Sequence, residues 1–310
     1  ARFSGTDQGL ADYLADDVLA ALPASVREFL LRTSILRHVH APLCDALMQR
    51  TDSAERLEQL HAANLFLAPI EGEAGGYRYH SLFAGYLRAQ LAREHPKELA
   101  GLHLIASHWY AREGRPVPAI DHAIASGDLD HALALLSRHG AAFLSQGRMR
   151  LLARWFRALP EDTLDRHPGL QMVAIWAACF TSGPWQAMAM LQRAQVPGSP
   201  LREVQAHARA LRPVLLAMMD QSEEAYELGQ ESLRQLPSTE AFADSVLTNA
   251  MAHVVATMGE PRQAHRLLDA ARRAHGAGPF NRMYSESVDG LIDLREGRLQ
   301  QATARFRIAV

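Results

Sequence analysis

Histidine is the residue type with the greatest chemical range in this sequence, and there are fifteen of them among 310 residues. A zinc hydrolase would need two on one helix face, as in His-Glu-x-x-His, and that spacing does not occur. His38 and His40 are the closest pair, and their spacing reads as an exposed helix–helix connection without a metal. No Gly-x-Ser-x-Gly elbow is present, and neither Cys44, which follows His40 by four residues, nor Cys179 reads as a thiolate paired with an activating histidine. The carboxylate pairs Asp16–Asp17 and Glu223–Glu224 sit near expected helix ends, where they suit the helix dipole or solvent. A nucleotide-binding P-loop requires a lysine after its glycines. Lys97 is the only lysine and stands in His95-Pro96-Lys97-Glu98, so this chain carries no such loop. Expected catalytic residues and metal ligands are therefore none.

Two groups of residues could still bind a ligand. His80 ends an expected strand immediately before a helix opening at Ser81, where free backbone N–H groups can meet a phosphate. Strand alternation places Arg78 on the same side. In the segment 240–258, Val246, Leu247, Ala250, Val254 and Val255 make the apolar stripe, leaving Asn249 and His253 on another face. Tyr284 falls early in the next equivalent helix. Equivalent helices of a helical-repeat protein line one concave surface, so Asn249, His253 and Tyr284 are the candidates for a binding groove, the alternative being a simply solvated face. Trp109, Trp155 and Trp176 fall on apolar stripes and read as core.

The elements that would position these groups follow from periodicity. Ala24–Ile35 places Val26, Phe29, Leu30 and Thr33 on one helical face, and Pro42–Met48 and Ser53–Ala62 are two shorter helices, the latter with Ser53 as N-cap. Leu65–Ile70 and Tyr77–His80 read as a hairpin around Glu71–Gly76, followed by a helix using Phe83, Tyr86, Leu87 and Leu91. Three helices, a two-stranded wing and another helix make a winged-helix arrangement.

Beyond about residue 99 the pattern is helical throughout, and it repeats. Turn residues precede an alanine by four or five positions at Gly114–Ala119, Gly127–Ala132, Gly183–Ala187, Asp220–Ala225, Gly259–Ala264 and Gly297–Ala302. The last four alanines are spaced by 38, 39 and 38 residues, the period of stacked helical hairpins. Within 262–274, Ala264, Leu267, Leu268 and Ala271 form an apolar stripe opposite Arg262, Arg266, Asp269 and Arg273. One hairpin cannot bury such a stripe alone, so neighbours must stack. The longer gap from Ala132 to Ala187 holds an additional pattern, Leu151, Leu152, Trp155, Phe156 and Leu159 before Pro160.

Composition bounds the class. The chain is 48% hydrophobic and 21% charged, with a formal charge of −2, which supports folded cores but not a basic nucleic-acid footprint. Its longest apolar run, Met172–Phe180, is far short of the ~20 residues of a membrane helix. Two isolated cysteines suit a reducing compartment, and the expected location is the cytoplasm. The sequence begins at Ala1 and ends at Val310 within a helical pattern, which reads as a piece of a longer protein.

These residues carry a family resemblance. Asp12-Tyr13-Leu14, Val18-Leu19, Leu22-Pro23, Thr33-Ser34-Ile35-Leu36, Leu43-Cys44, Asn64-Leu65-Phe66 and Tyr77-Arg78-Tyr79-His80-Ser81-Leu82-Phe83 resemble the large ATP-dependent LuxR-type transcription regulators of the MalT-like group. The likeness continues through His108-Trp109-Tyr110, His122-Ala123, Ser126-Gly127-Asp128, Ala158-Leu159-Pro160, Trp176 and Gly183, and rests mainly on the repeat beyond Ala187. The resemblance implies a mainly all-α chain, with a winged-helix domain at 1–95 and a right-handed tetratricopeptide-like α-solenoid acting as sensor at 96–310. It implies an ATPase module acting in cis and a promoter-binding helix-turn-helix elsewhere in the full-length protein. ATP or ADP would be bound only there, and His80, with Arg78 beside it, matches a winged-helix position that contacts the ADP phosphates. A small-molecule or protein inducer on the solenoid would release the ATPase module, allowing nucleotide exchange, self-association and DNA binding. One rival is a free-standing helical-repeat adaptor for a protein partner. The other is direct DNA binding by Ser53–Ala62, whose only basic residue besides His61 is Arg56, flanked by Glu55 and Glu58.

Overall fold

A computed structural model describes residues 19–194, 199–273 and 278–309. Asp12–Leu14, Asp16, Asp17, Val18, Ala274 and Val310, all used above, lie outside the described residues. The chain divides between Leu135 and Leu136 into two compact units.

The first unit begins with α1 (Ala24–Thr33), β1 (Val39–His40), α2 (Ala41–Met48) and α3 (Ser53–Ala62). It continues with β2 (Leu67–Pro69), β3 (Gly76–Tyr79), α4 (Ser81–Glu94), α5 (Pro96–Arg112) and α6 (Pro116–Ser126). The expected α1 face is found, with Phe29, Leu30 and Thr33 buried. The Thr33 hydroxyl sits 2.7 Å from the Tyr79 hydroxyl, fixing α1 to β3, and donates to the Phe29 carbonyl. These two buried hydroxyls thus find partners, as a dry core requires.

Two local expectations change. The wing is a three-stranded antiparallel sheet in the order β1-β3-β2, not a hairpin alone, with Val39 opposite Tyr77 and Leu67 opposite Tyr79. A two-residue strand is too short to display alternation, and β1 exists because Val39 is fully buried against its neighbours. His38 therefore precedes, and His40 belongs to, a strand instead of an exposed connection. Ser53 is the first helical residue of α3, not its cap: Asp52 holds the N-cap position and its carboxylate binds Arg50 and Arg56.

Helix α7 (Leu129–Ser145) contains the division point. The second unit then runs through α8 (Met149–Ala158), a short 3₁₀ turn (Glu161–Leu164), α9 (Pro168–Thr181), α10 (Pro184–Arg193) and α11 (Arg202–Met218). Helices α12 (Ser222–Arg234), α13 (Ala241–Thr257), α14 (Pro261–Arg273), α15 (Gly278–Arg295) and α16 (Leu299–Ile308) complete it. Each hairpin packs within itself, and α9, α11, α13 and α15 also touch in succession, which is the stacked arrangement the period requires.

The repeated turn–alanine spacing has a direct physical basis. Ala119, Ala132, Ala187, Ala225, Ala264 and Ala302 are each the fourth residue of a helix, and all are buried. Each donates its N–H to the carbonyl four residues back, closing the first turn, as in Ala264 to Glu260 at 3.1 Å. The preceding turn residue has a positive φ every time, from Asp220 at +60° to Gly183 at +97°. Five glycines enter that region without steric cost, while Asp220 does so with a side chain.

The additional pattern after Ala132 becomes α8, with Leu152 and Trp155 buried. Trp176 is also fully buried, and Trp109 is partly so.

Candidate functional site

The sequence-predicted pair Arg78 and His80 comes together on the wing. Strand β3 alternates as expected: Tyr79 points into the core, whereas Arg78 and His80 are exposed. His80 is the N-cap residue of α4, and its side chain makes no capping hydrogen bond. Its backbone N–H donates to the Phe66 carbonyl at 2.8 Å, which fixes the residue following β3 against the loop before β2. Arg78, His80, Ser81, Phe66 and Ala68 line an open cleft of about 530 Å³. Phe66 adopts φ +53°, a costly conformation for a bulky side chain, and its ring packs 4.7 Å from that of Phe83. Two cationic-capable side chains beside the start of a 14-residue helix make this cleft suited to an anion.

The three groove residues behave differently from one another. Asn249 is fully buried, so it reaches no groove surface: its amide nitrogen donates to the Ser245 carbonyl at 2.9 Å and to Asn281 Oδ1 at 2.7 Å. Its own oxygen accepts from Ser285 at 2.8 Å, and Asn281 donates onward to the Ala271 carbonyl, so the two amides together join α13, α14 and α15. Tyr284 is partly buried against the α13–α15 core and packs beside Phe180 and Phe280; burial pushes its phenol upward. His253 is partly exposed, and burial, reinforced by Arg295, lowers its pKa against the opposing pull of Asp220. Of the three, it alone keeps a polar ring partly open with neither a buried network nor an aromatic cluster claiming it.

A second cleft, of about 320 Å³, lies among the first helices of the repeats, lined by Arg166, Glu203, His207 and Glu240 with Leu170 and Val173 as its apolar wall. The Trp176 indole N–H donates to His207 Nδ1 at 3.0 Å. With Nδ1 accepting, the neutral ring carries its proton on Nε2, which faces the Glu240 carboxylate at 3.4 Å. Tryptophan and Glu240 thereby hold the imidazole in one orientation at the cleft wall. No short motif announces this trio, because its members lie on separate helices more than thirty residues apart. The available signal was the repeat itself, which brings α9, α11 and α13 side by side.

Nucleophilic chemistry finds no support in the thiols. Both are buried, and burial pushes Cys179 up to about 12 and Cys44 higher still. No described helix is long and apolar enough to cross a membrane.

Comparison with known proteins adds the family. Residues 15–99 match the MalT winged helix domain. HTH-type transcriptional regulator MalT of Serratia proteamaculans is 30% identical over 260 residues, covering 82% of this chain and 29% of that protein. The Vibrio campbellii MalT is 30% identical over 256 residues, or 81% of this chain and 28% of its own length. The chain is MalT-like. Serine/threonine-protein kinase PknK of Mycobacterium tuberculosis is also similar, at 28% identity over 99% of this chain and 28% of the kinase. The MalT-like chain thus spans under a third of the length of these curated relatives. Protein-kinase catalysis uses His-Arg-Asp and Asp-Phe-Gly motifs and a strand lysine, whereas neither motif occurs here and Lys97 lies in the first turn of α5.

Proposed function

We propose that this chain is the central regulatory and sensor portion of a MalT-like, ATP-dependent transcription regulator. The winged-helix domain spans 1–95 and the sensor repeats 96–310. An inducer, a small molecule or a protein, binds the repeats, and the polar cleft around His207, Glu203 and Arg166 together with His253 is its surface. Binding shifts the winged helix away from an ATPase module in cis, which then exchanges ADP, self-associates and presents a helix-turn-helix to DNA. Such coupling requires that the inducer bind the two arrangements with different affinity. The nucleotide belongs to the full-length protein, where His80 and Arg78 contact its phosphates. The protein works in the cytoplasm, and this segment catalyses no reaction itself.

The observation carrying this reading is the exposed Arg78–His80 pair beside the start of α4, within a segment that matches the MalT winged helix. In the full-length protein, His80→Ala is expected to raise promoter activity without inducer in a reporter assay. Inducer dependence equal to that of the wild type would count against it. The similarity to PknK favours a second reading, in which the same kind of segment governs a kinase module. Autophosphorylation by the full-length protein, altered by His80→Ala, would select that reading.

A further inference from the structure

The winged-helix unit holds a cluster that neither the nucleotide nor the inducer reading uses. His40 lies in β1 opposite Gly76 of β3, and His38 precedes it by two positions, with the two imidazole centroids 6.3 Å apart. Glu73 reaches them from the turn joining β2 to β3. That turn is held by hydrogen bonds from Glu73 N–H to the Ile70 carbonyl and from Gly76 N–H to the Glu73 carbonyl, at 3.2 and 3.0 Å. Sequence reading missed the site because Glu73 is 33 residues from His40 and the strand that aligns them is only two residues long.

We infer that His38, His40 and Glu73 form a binding site for a divalent transition metal of the zinc type. Their ligand-capable atoms all lie within 4.8 Å of one another. Glu73 Oε2 stands 3.4 Å from His40 Nε2 and 3.7 Å from His38 Nδ1. These separations are long for hydrogen bonds, and none of the three atoms has a hydrogen-bond partner although each is sheltered from solvent. Bonds of about 2.0–2.1 Å at tetrahedral angles put neighbouring ligand atoms roughly 3.3–3.4 Å apart, which the His40–Glu73 edge meets at 3.4 Å, while the His38 ring at 3.7 Å closes on the ion by a small side-chain rotation. Two imidazoles and one carboxylate supply three ligands, and water takes the fourth place.

Backbone geometry supports the same convergence. A Cβ on Gly76 would stand 2.9 Å from Glu73 Cβ, 3.0 Å from Glu73 Oε2 and 3.1 Å from His40 Cε1. Glycine at 76 leaves the space into which the carboxylate and the imidazole turn. The donor set selects the metal, since imidazole nitrogen suits zinc, cobalt and nickel, whereas calcium and magnesium rely on anionic oxygen. Bound metal would tie β1 to the wing turn, so that binding energy becomes stability of the sheet.

The test uses the untagged 310-residue chain, stripped with chelator and titrated with cobalt(II) as a spectroscopic substitute for zinc. One equivalent is expected to give a saturable visible d–d spectrum that zinc bleaches, with a rise in melting temperature. His38→Ala and Glu73→Gln each alter a substantially exposed side chain, and each should weaken cobalt binding at least about tenfold. Gly76→Ala should weaken it too. Far-UV circular dichroism checks that the variants fold, and Glu73→Gln, in a turn, decides the matter if His38→Ala does not. Absence of a saturable spectrum, or a spectrum unchanged in the folded variants, overturns the assignment.

Discussion

Replacing Asn249 by alanine separates a structural role for this residue from a ligand-binding one. The wild-type amide makes three hydrogen bonds within 2.9 Å, all to buried partners on α13 and α15. Each contributes about 1 kcal/mol net, and alanine also leaves Asn281 Oδ1 without its donor, so the loss is about 3 kcal/mol or somewhat more. For a unit of this size, 1 kcal/mol moves the midpoint by roughly 2–4 °C, so Asn249→Ala should lower it by roughly 6–12 °C. Ser285→Ala removes only one of these bonds and should cost about 1 kcal/mol. Thermal melts followed by circular dichroism, on wild type and both variants in one buffer, measure the difference. An Asn249→Ala midpoint within about 2 °C of wild type would refute the reasoning and return Asn249 to the groove.

Three further outcomes rest on the repeats and their neighbours. Leucine at Ala225 or Ala264, both fully buried at the first turn of a helix, should overpack the hairpin and cost roughly 1–3 kcal/mol in chemical denaturation; unchanged midpoints would show the register to be wrong. Asp220→Gly should stabilise by about 0.5–1 kcal/mol, because it removes a side chain from a positive-φ position that glycine fills in the five sister turns, and a lower melting temperature would contradict this. Burial, then the neighbouring His103, lowers His122 to about 4, against 6.5 for an unperturbed ring. The unfolded chain therefore binds the proton more readily, and stability present above pH 6.5 should fall by about 3 kcal/mol as pH drops toward 4. Urea midpoints that stay level from pH 7 to 5 would rule this out.

How far the sequence could be read depended on the span of each signal. The turn residues and alanines recur at a fixed covalent spacing, so six buried helix starts were legible without any tertiary information. The α1 face and the strand alternation that exposes Arg78 and His80 are equally local. Asn249 was misplaced because polarity on a helix face looks like solvation until Asn281 and Ser285, over thirty residues on, are seen to bond it. The charged residues of α15 follow the same rule: Asp289 and Asp293 are buried, bonded by Arg272, Arg298 and Arg305 from flanking segments. Charge alone would assign them to the surface, and only the stacked neighbours supply the guanidinium groups that make burial tolerable. The His207 cleft and the β1 strand likewise needed partners distant in sequence.

The central claim, that the wing reports the state of the sensor to a bound nucleotide, is tested most directly by ADP retention. Full-length wild-type and His80→Ala proteins are purified without added nucleotide and denatured, and the released ADP is quantified per mole of protein. The account predicts that the wild type retains ADP and that His80→Ala has lost most of it while its melting profile is preserved. Equal ADP retention by the two proteins would contradict it.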